Sequence, residues 1–159
     1  PATVADGRAI AEIHKETWAA TYTRWIPDVI DDYDLERSAE GWARTATSES
    51  GRLMVAESGA DVLGFACSGP ARGVDDAGEV YAIYVKPARH GGGIGRALMA
   101  DALGWMAGLG QPECILWVAE PSTRSRAFYE SVGFRLDEGP GATEPWRGIM
   151  TVRYRRPLP

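Results

Sequence analysis

The sequence predicts a single α/β domain with a mixed sheet flanked by helices. A strand-like segment, residues 79–85, runs through a glycine-rich loop directly into a segment whose apolar residues follow helical spacing from Ile94 to Leu109. Two further strand-like segments, residues 52–57 and 62–68, are joined by a short polar turn typical of an antiparallel hairpin. The length of 159 residues suits one domain, and no repeat or linker interrupts it.

The other elements follow from periodicity and capping signals. Thr3, with Asp6 three residues later, is typical of a capping box at the start of the first helix. Pro27 precedes an acid-rich segment that we expect to be helical. The remaining predictions are helices over residues 4–20, 35–47 and 122–132, a glycine-loop helix ending near Gly108 or Gly110, a loop over 69–78, and strands over 113–118 and 147–155.

Composition and charge exclude several classes of function. Hydrophobic residues make up 45% of the chain and charged residues 25%, as in ordinary soluble domains. There is no apolar run of membrane-span length and no signal-peptide pattern, so we expect a cytoplasmic protein without a membrane partner. A net charge of −5 argues against a nucleic-acid partner, and we expect the arginines at 153, 155 and 156 to form a solvated strand edge.

The two cysteines point away from a metal site or a disulfide framework. Cys67 and Cys114 lie in apolar strand-like segments and lack the spacing of paired metal ligands. We therefore expect buried free thiols in a reducing compartment, and no metal cofactor.

The glycine loop following residue 89 is the first candidate binding site. A Rossmann fingerprint that starts at Gly91 or Gly93 would end on Arg96 or Leu98 instead of glycine, and a P-loop would need a lysine that the loop lacks. A ligand-free turn is the plain alternative. Three consecutive glycines before a helix N-terminus favour an anion site over that turn, because unpaired amides there attract phosphate.

A second motif identifies the family that the chain resembles. Residues 118–134 include Ser122, the pair Phe128-Tyr129 and the pair Gly133-Phe134. Together with residues 90–95, His-Gly-Gly-Gly-Ile-Gly, this resembles the GNAT superfamily of acetyl-CoA-dependent N-acetyltransferases. The superfamily's acyl-CoA loop reads Arg/Gln-x-x-Gly-x-Gly/Ala, and its later motif commonly reads Asn-x-x-Ala-x-x-Phe-Tyr-x-x-x-Gly-Phe. The resemblance covers about residues 1–138 and is strongest over 79–134.

This chain departs from the family pattern at three positions. His90 stands where the family usually has arginine or glutamine, Ser122 where it often has asparagine, and Ser125 where it has alanine. The backbone amides of the loop are unaffected by these changes, so the departures concern side-chain contacts alone.

The resemblance implies a fold, an activity and a cofactor. The fold is a mixed, largely antiparallel sheet in a single N-acetyltransferase domain, residues 1–159, whose short first strand lacks its opening residues here. The activity is direct transfer of an acetyl group from acetyl-CoA to a primary amine of a small molecule or peptide. A CoA-binding domain without turnover is the alternative, and a homodimer stays open. The residues implied in cofactor binding are Ile83, Tyr84, Val85, His90, Gly91, Gly92, Gly93, Ile94, Gly95, Arg96 and Ser122.

Two residues are implied in the chemistry. An alkylammonium with a pKa of roughly 10 must lose a proton before it attacks a thioester, and the departing thiolate must gain one. The resemblance implies that Tyr129 is the general acid, whereas outside the motif Phe128-Tyr129 would be a core aromatic pair. Glu79 is the candidate general base, directly or through water, and a solvated strand-end charge is the alternative. A backbone amide near Ile83 or Tyr84 is the expected oxyanion donor.

The acceptor site is expected near the end of the first helix. His14, Trp18, Tyr22 and Trp25 follow helical spacing along one flank, and several aspartates follow them. We take Trp18 and Tyr22 as candidate substrate-binding residues that could hold a cationic amine with those acids. Packing of the aromatic residues on the sheet is the competing interpretation, and His14 is a second candidate for the base.

Overall fold

Seven strands form one mixed sheet in the computed structural model, which describes residues 1–159. The elements, in chain order, are α1 (Gly7–Tyr22), α2 (Leu35–Ala46), β1 (Arg52–Ser58), β2 (Asp61–Pro70), β3 (Gly78–Val85), α3 (Ile94–Gly108), β4 (Glu113–Ala119), α4 (Thr123–Ser131), β5 (Arg135–Leu136), β6 (Thr143–Trp146) and β7 (Ile149–Pro157). The strand order is β1-β2-β3-β4-β7-β5, and β6 also pairs with β7. Only β3 and β4 are parallel, which confirms the predicted mixed, largely antiparallel sheet.

Thr3 and Asp6 pair as the sequence predicts, and the predicted helix over residues 4–20 begins at Gly7. The Asp6 carboxylate accepts hydrogen bonds from the Thr3 amide at 2.6 Å and from the Thr3 hydroxyl at 2.8 Å. A single 3₁₀ turn then leads into α1. Ile10 and Ile13 are fully buried on one flank of α1 and pack in one cluster with Phe65 of β2. The helix is therefore held to the sheet by its apolar stripe.

The hydrophobic core has two parts, each with one cysteine. Cys67 belongs to the cluster that joins α1 to β1 and β2, and Cys114 to the cluster that joins α3 to β3, β4 and β7. Both are buried free thiols, as predicted. No strand precedes α1, although the Ala2 amide donates to the Leu53 carbonyl at 2.9 Å. No helix has the length and apolar character needed to cross a membrane.

The acid-rich segment after Pro27 forms turns, so the helical prediction there is wrong. Its backbone bonds span three residues, as from the Val29 amide to the Ile26 carbonyl and from the Asp31 amide to the Asp28 carbonyl, both at 3.1 Å. Short polar side chains such as aspartate favour turns because they compete for backbone partners.

The last predicted strand forms, but it begins two residues later and pairs with an unpredicted strand, β6. Of the predicted residues 147–155, all but the first two lie in β7, and Arg147 and Gly148 form the turn between β6 and β7, with φ of 47° and 84°. Pairs of positive φ values are typical of two-residue hairpin turns, for which Asn-Gly is the usual sequence. Arginine at the first position gave no turn signal.

The C-terminal arginines do not form a solvated edge, because β7 lies between β4 and the β5–β6 side of the sheet. Arg153 Nε lies 2.8 Å from the Asp137 carboxylate, and Arg155 Nη2 lies 2.6 Å from the Glu113 carboxylate. Arg156 donates to the Val132 carbonyl. These side chains hold the sheet together.

Candidate active site

A cleft opens inside the sheet where its two parallel strands separate. β3 and β4 pair only at Gly78 with Cys114 and at Glu79 with Ile115. β3 then continues to residue 85 and β4 to residue 119 without pairing to each other. As a result, residues 81–85 are only half-buried although β3 lies in the middle of the sheet. Backbone groups on the facing edges are left without a strand partner, as on an exposed sheet edge.

This cleft is part of a cavity of about 770 Å³ bounded by β3, β4, the end of α1, the glycine loop and the start of α4. Three of the predicted site residues, Gly92, Glu79 and Trp18, do not line it. The predicted site residues that it brings together are Tyr22, Ile83, Tyr84, Val85, His90, Gly91, Gly93, Ile94, Gly95, Arg96, Ser122 and Tyr129.

The glycine loop presents a row of free backbone amides. Gly91 and Gly93 have φ of 84° and 81°, a conformation that L side chains rarely adopt. Gly93 caps α3, whose first internal bond runs from the Ala97 amide to the Gly93 carbonyl at 3.0 Å. The amides of residues 91–96 have no acceptor in the protein. They point from a helix N-terminus, where partial positive charge favours an anion.

The polar side chains of the loop serve its shape. His90 Nε2 lies 2.8 Å from the Val85 carbonyl oxygen and ties the loop to the end of β3. The Arg96 guanidinium donates to the Ser131 carbonyl and hydroxyl at 3.2 and 3.0 Å. The Ser122 hydroxyl, at the start of α4, donates to a neighbouring serine at 2.9 Å. The amides of the loop, more than these side chains, are thus available to a ligand.

Tyr129 presents a protonated hydroxyl to the cavity. This hydroxyl forms no hydrogen bond within the protein. Burial raises the pKa of Tyr129 well above its ordinary value of 10.0, and the nearby Tyr22 raises it further. The phenol is therefore a proton donor at neutral pH.

Comparison with known proteins identifies the family. The sequence model of the acetyltransferase (GNAT) family matches residues 9–134. The chain belongs to this family. It is 31% identical over 129 residues to YuaI of Bacillus subtilis (strain 168), an uncharacterised N-acetyltransferase, and the match covers 79% of this chain and 73% of YuaI. The predicted family and its acetyltransferase activity are thereby confirmed.

Solved structures share the fold over nearly the whole chain. The PaiA N-acetyltransferase of Thermoplasma acidophilum, in complex with coenzyme A, gives a TM-score of 0.77 at 19% identity and covers 99% of this chain and 96% of its own. The ribosomal-protein-alanine N-acetyltransferase of Brucella melitensis gives a TM-score of 0.77 at 25% identity, with 99% and 97% covered.

In this GNAT protein Glu79 lies outside the cavity, in a buried ion pair. Its side chain is 2% exposed, and its Oε1 lies 2.5 Å from Nη2 of Arg72, whose side chain is 71% exposed. The same carboxylate accepts from the Arg72 amide at 2.9 Å and from Nε at 3.3 Å. Val80, the next residue, lines the cavity. The carboxylate therefore anchors the loop between β2 and β3 close to the site.

His14 is a packing residue within an aromatic cluster. Burial lowers its pKa to about 4, so the imidazole is neutral near pH 7. Its Nδ1 lies 3.1 Å from the Tyr33 hydroxyl, and its ring packs edge-on against Trp18 at 4.6 Å between centroids. His14 does not line the cavity, which argues against it as the base.

The predicted acceptor aromatics meet the tip of the β6–β7 hairpin. Trp18 Nε1 donates to the Tyr84 hydroxyl at 2.9 Å, which places Trp18 behind the cavity wall. The Tyr22 ring, which lines the cavity, lies 5.3 Å from the Trp146 ring. None of the aspartates after Pro27 lines the cavity. The contact with the hairpin could not be predicted, because the hairpin itself was missed.

The residues that line the cavity include three arginines that the sequence did not mark as site residues. Arg24, Arg89 and Arg124 line it, along with the predicted Arg96, and no aspartate or glutamate does. The chain as a whole has 22 acidic and 17 basic residues, so this lining has the opposite charge balance. Arg89, next to the glycine loop, and Arg124, within the second motif, stand where their positions in the sequence could have signalled a role, whereas Arg24 does not.

Proposed function

We propose that the protein transfers the acetyl group of acetyl-CoA to a primary amine of a small molecule or peptide. The proposal rests on the amides of residues 91–96, which have no acceptor in the protein, and on the cleft, which five of these six residues line. Phosphate oxygens accept such hydrogen bonds at a helix N-terminus. The coenzyme A held by the Thermoplasma PaiA protein, which has the same fold, supports this cofactor.

The cavity fits acetyl-CoA in charge and in shape. Its arginines and the helix N-terminus favour a polyanion at one end, and no carboxylate opposes it. The unpaired edge of β3, at Ile83 and Val85, suits an extended amide-bearing chain that adds to the sheet like a strand. When bound, acetyl-CoA supplies an activated acetyl thioester. We propose that a backbone amide near Ile83 or Tyr84 donates to the acetyl oxygen as charge develops there.

Tyr129 is the proposed general acid, which gives its phenolic proton to the departing sulfur. Its raised pKa keeps that proton in place until charge develops on the sulfur. We propose Glu79 as the base and propose that it acts through water, because its carboxylate lies outside the cavity while the adjacent Val80 lines it. Tyr22 is the residue of the predicted acceptor pair that lines the cavity, so we propose it as a contact for the acceptor.

Turnover by a Tyr129→Phe variant tests the chemistry. Loss of the hydroxyl should lower kcat by roughly 10² while leaving the Kd of acetyl-CoA within about twofold, because the ring still packs in place. The measurement is release of free coenzyme A with a panel of amines, and calorimetry gives the Kd. Tyr33→Phe, which removes a hydroxyl outside the cavity, is the matched control.

The same experiment separates transfer from binding alone. Equal kcat in wild type and Tyr129→Phe, when chemistry limits the rate, would show that Tyr129 packs without donating a proton. Tight binding of acetyl-CoA with no release of coenzyme A for any amine would favour a ligand-binding domain over an enzyme.

A further inference from the structure

The charge of the cavity also bears on the acceptor, if the proposed function holds. Four arginines line the cavity, and no carboxylate does. Arg89 and Arg96 flank the glycine loop, and Arg124 lies in the first turn of α4 beside it. Positive charge at that end of the cavity suits the phosphates of acetyl-CoA. Arg24 lies on another element, the turn after α1, and we consider it for the acceptor.

Arg24 is positioned as an anion-binding side chain. Its guanidinium carbon lies 4.8 Å from the centre of the Trp25 ring, and both residues line the cavity. The side chain of Arg24 forms no ion pair and no hydrogen bond within the protein. A guanidinium stacked on an aromatic face keeps its N–H groups free along one edge, and that edge can bind a carboxylate through two parallel hydrogen bonds.

A second unpaired arginine lies at the neighbouring hairpin tip. Arg147, with its φ of 47°, places its guanidinium carbon 6.0 Å from the Trp18 ring and 5.9 Å from the Trp146 ring. Trp146 in turn contacts Tyr22, two residues before Arg24. The wall around Tyr22 therefore combines aromatic faces with two cations. A cationic acceptor such as a polyamine would meet no carboxylate among the residues that line the cavity.

We propose that the acceptor is a small amino acid-like molecule whose carboxylate, close to the reacting amine, binds Arg24. The side chain of the acceptor would pack on the aromatic faces of Tyr22 and Trp25. Positive charge in the cavity disfavours an ammonium, so the same arginines assist loss of the amine proton. This replaces the expectation that acidic residues hold a cationic amine.

Matched pairs of acceptors test this proposal. L-Phenylalanine, L-leucine and L-methionine are each compared with the corresponding amide, which keeps the amine and the side chain but lacks the charge. We expect wild type to favour the acid by roughly tenfold or more, and Arg24→Gln to bring the ratio close to one. Arg135→Gln, which removes an unpaired arginine outside the cavity, should leave the ratio unchanged.

Two readouts keep this test separate from that of acetyl transfer. The ratio is measured as kcat/KM and also as Kd, by calorimetry with and without coenzyme A, so it is obtained whether or not transfer occurs. Preference for the amides or for spermidine, or binding of neither member of any pair, overturns the proposal. So does an Arg24→Gln variant that loses affinity for acetyl-CoA while the ratio stays unchanged, because Arg24 would then serve the cofactor.

Discussion

Paired substitutions at Glu79 and Arg72 distinguish a base from a structural anchor. Glu79→Gln and Arg72→Gln each break the same ion pair, but only the first removes the carboxylate. If Glu79 takes up the amine proton, the Glu79→Gln variant should lose roughly 10²-fold in kcat/KM below the pKa of the acceptor amine. That defect should shrink as rising pH supplies neutral amine. Arg72→Gln keeps the carboxylate, so its loss of kcat/KM should be smaller than that of Glu79→Gln.

The two variants should rank in the reverse order in stability: Glu79→Gln should be the less active variant, and Arg72→Gln the less stable one. The Glu79 carboxylate is buried and accepts three bonds from Arg72, whose side chain is mostly exposed. In Glu79→Gln the freed guanidinium regains water, so we expect a loss of about 1–2 kcal/mol, the low end for charged hydrogen bonds. Arg72→Gln leaves a buried carboxylate with a single amide donor, and we expect about 3 kcal/mol.

The assays are urea unfolding at pH 7.5 and kcat/KM between pH 6 and 10. Small activity defects of equal size in both variants, without dependence on pH, would refute the role of Glu79 as base. Its carboxylate would then act only by holding the loop between β2 and β3 in place.

Three further predictions concern stability. Unfolded His14 binds a proton near pH 6.5, but folded His14 binds one only near pH 4. The free energy of unfolding should therefore fall by about 3 kcal/mol as pH drops from 7 to 4, and His14→Phe should lack most of that slope. A wild-type stability independent of pH over this range would contradict this prediction. A Cβ at Gly95 would lie 3.3 Å from the Phe128 ring, so Gly95→Val should lower the free energy of unfolding by about 1–3 kcal/mol and Gly95→Ala by less. Equal losses in thermal unfolding of the two variants would argue against this contact. Arg52 binds Asp101 through two hydrogen bonds, so Asp101→Asn should lower the free energy of unfolding by about 1 kcal/mol. If the losses in Arg52→Gln and Asp101→Asn simply add in the double variant, the two side chains do not interact.

The sequence predicted the parts of the site that lie on one continuous stretch of chain. From β3 through the glycine loop to α3, the apolar residues alternate as in a strand, then the glycines follow, and then the apolar residues repeat at helical spacing. Each of these signals is local in the sequence. Gly91 and Gly93 adopt the positive φ that such a loop requires. The hydrogen bonds between Thr3 and Asp6, in the turn before α1, are equally local.

Parts that depend on contacts between distant residues were not predictable. Nothing near Glu79 in the sequence signals that Arg72 folds back onto it. The separation of β3 from β4 depends on the register of two strands joined through α3, and this register makes the cleft. The contact of Tyr22 with Trp146 joins elements more than a hundred residues apart. The positive charge of the cavity likewise comes from arginines that are distant in the sequence and meet only in the fold.

Binding of acetyl-CoA to substitutions at Gly93 tests the central claim most directly. A side chain there points into open space and carries the same backbone strain whether it is Gln or Glu. Calorimetry should give Gly93→Gln an affinity within about tenfold of wild type. Gly93→Glu should bind roughly a hundredfold more weakly than Gly93→Gln, because its charge repels the phosphates. Equal affinity of folded Gly93→Glu and Gly93→Gln would contradict the assignment of the phosphate site to residues 91–96.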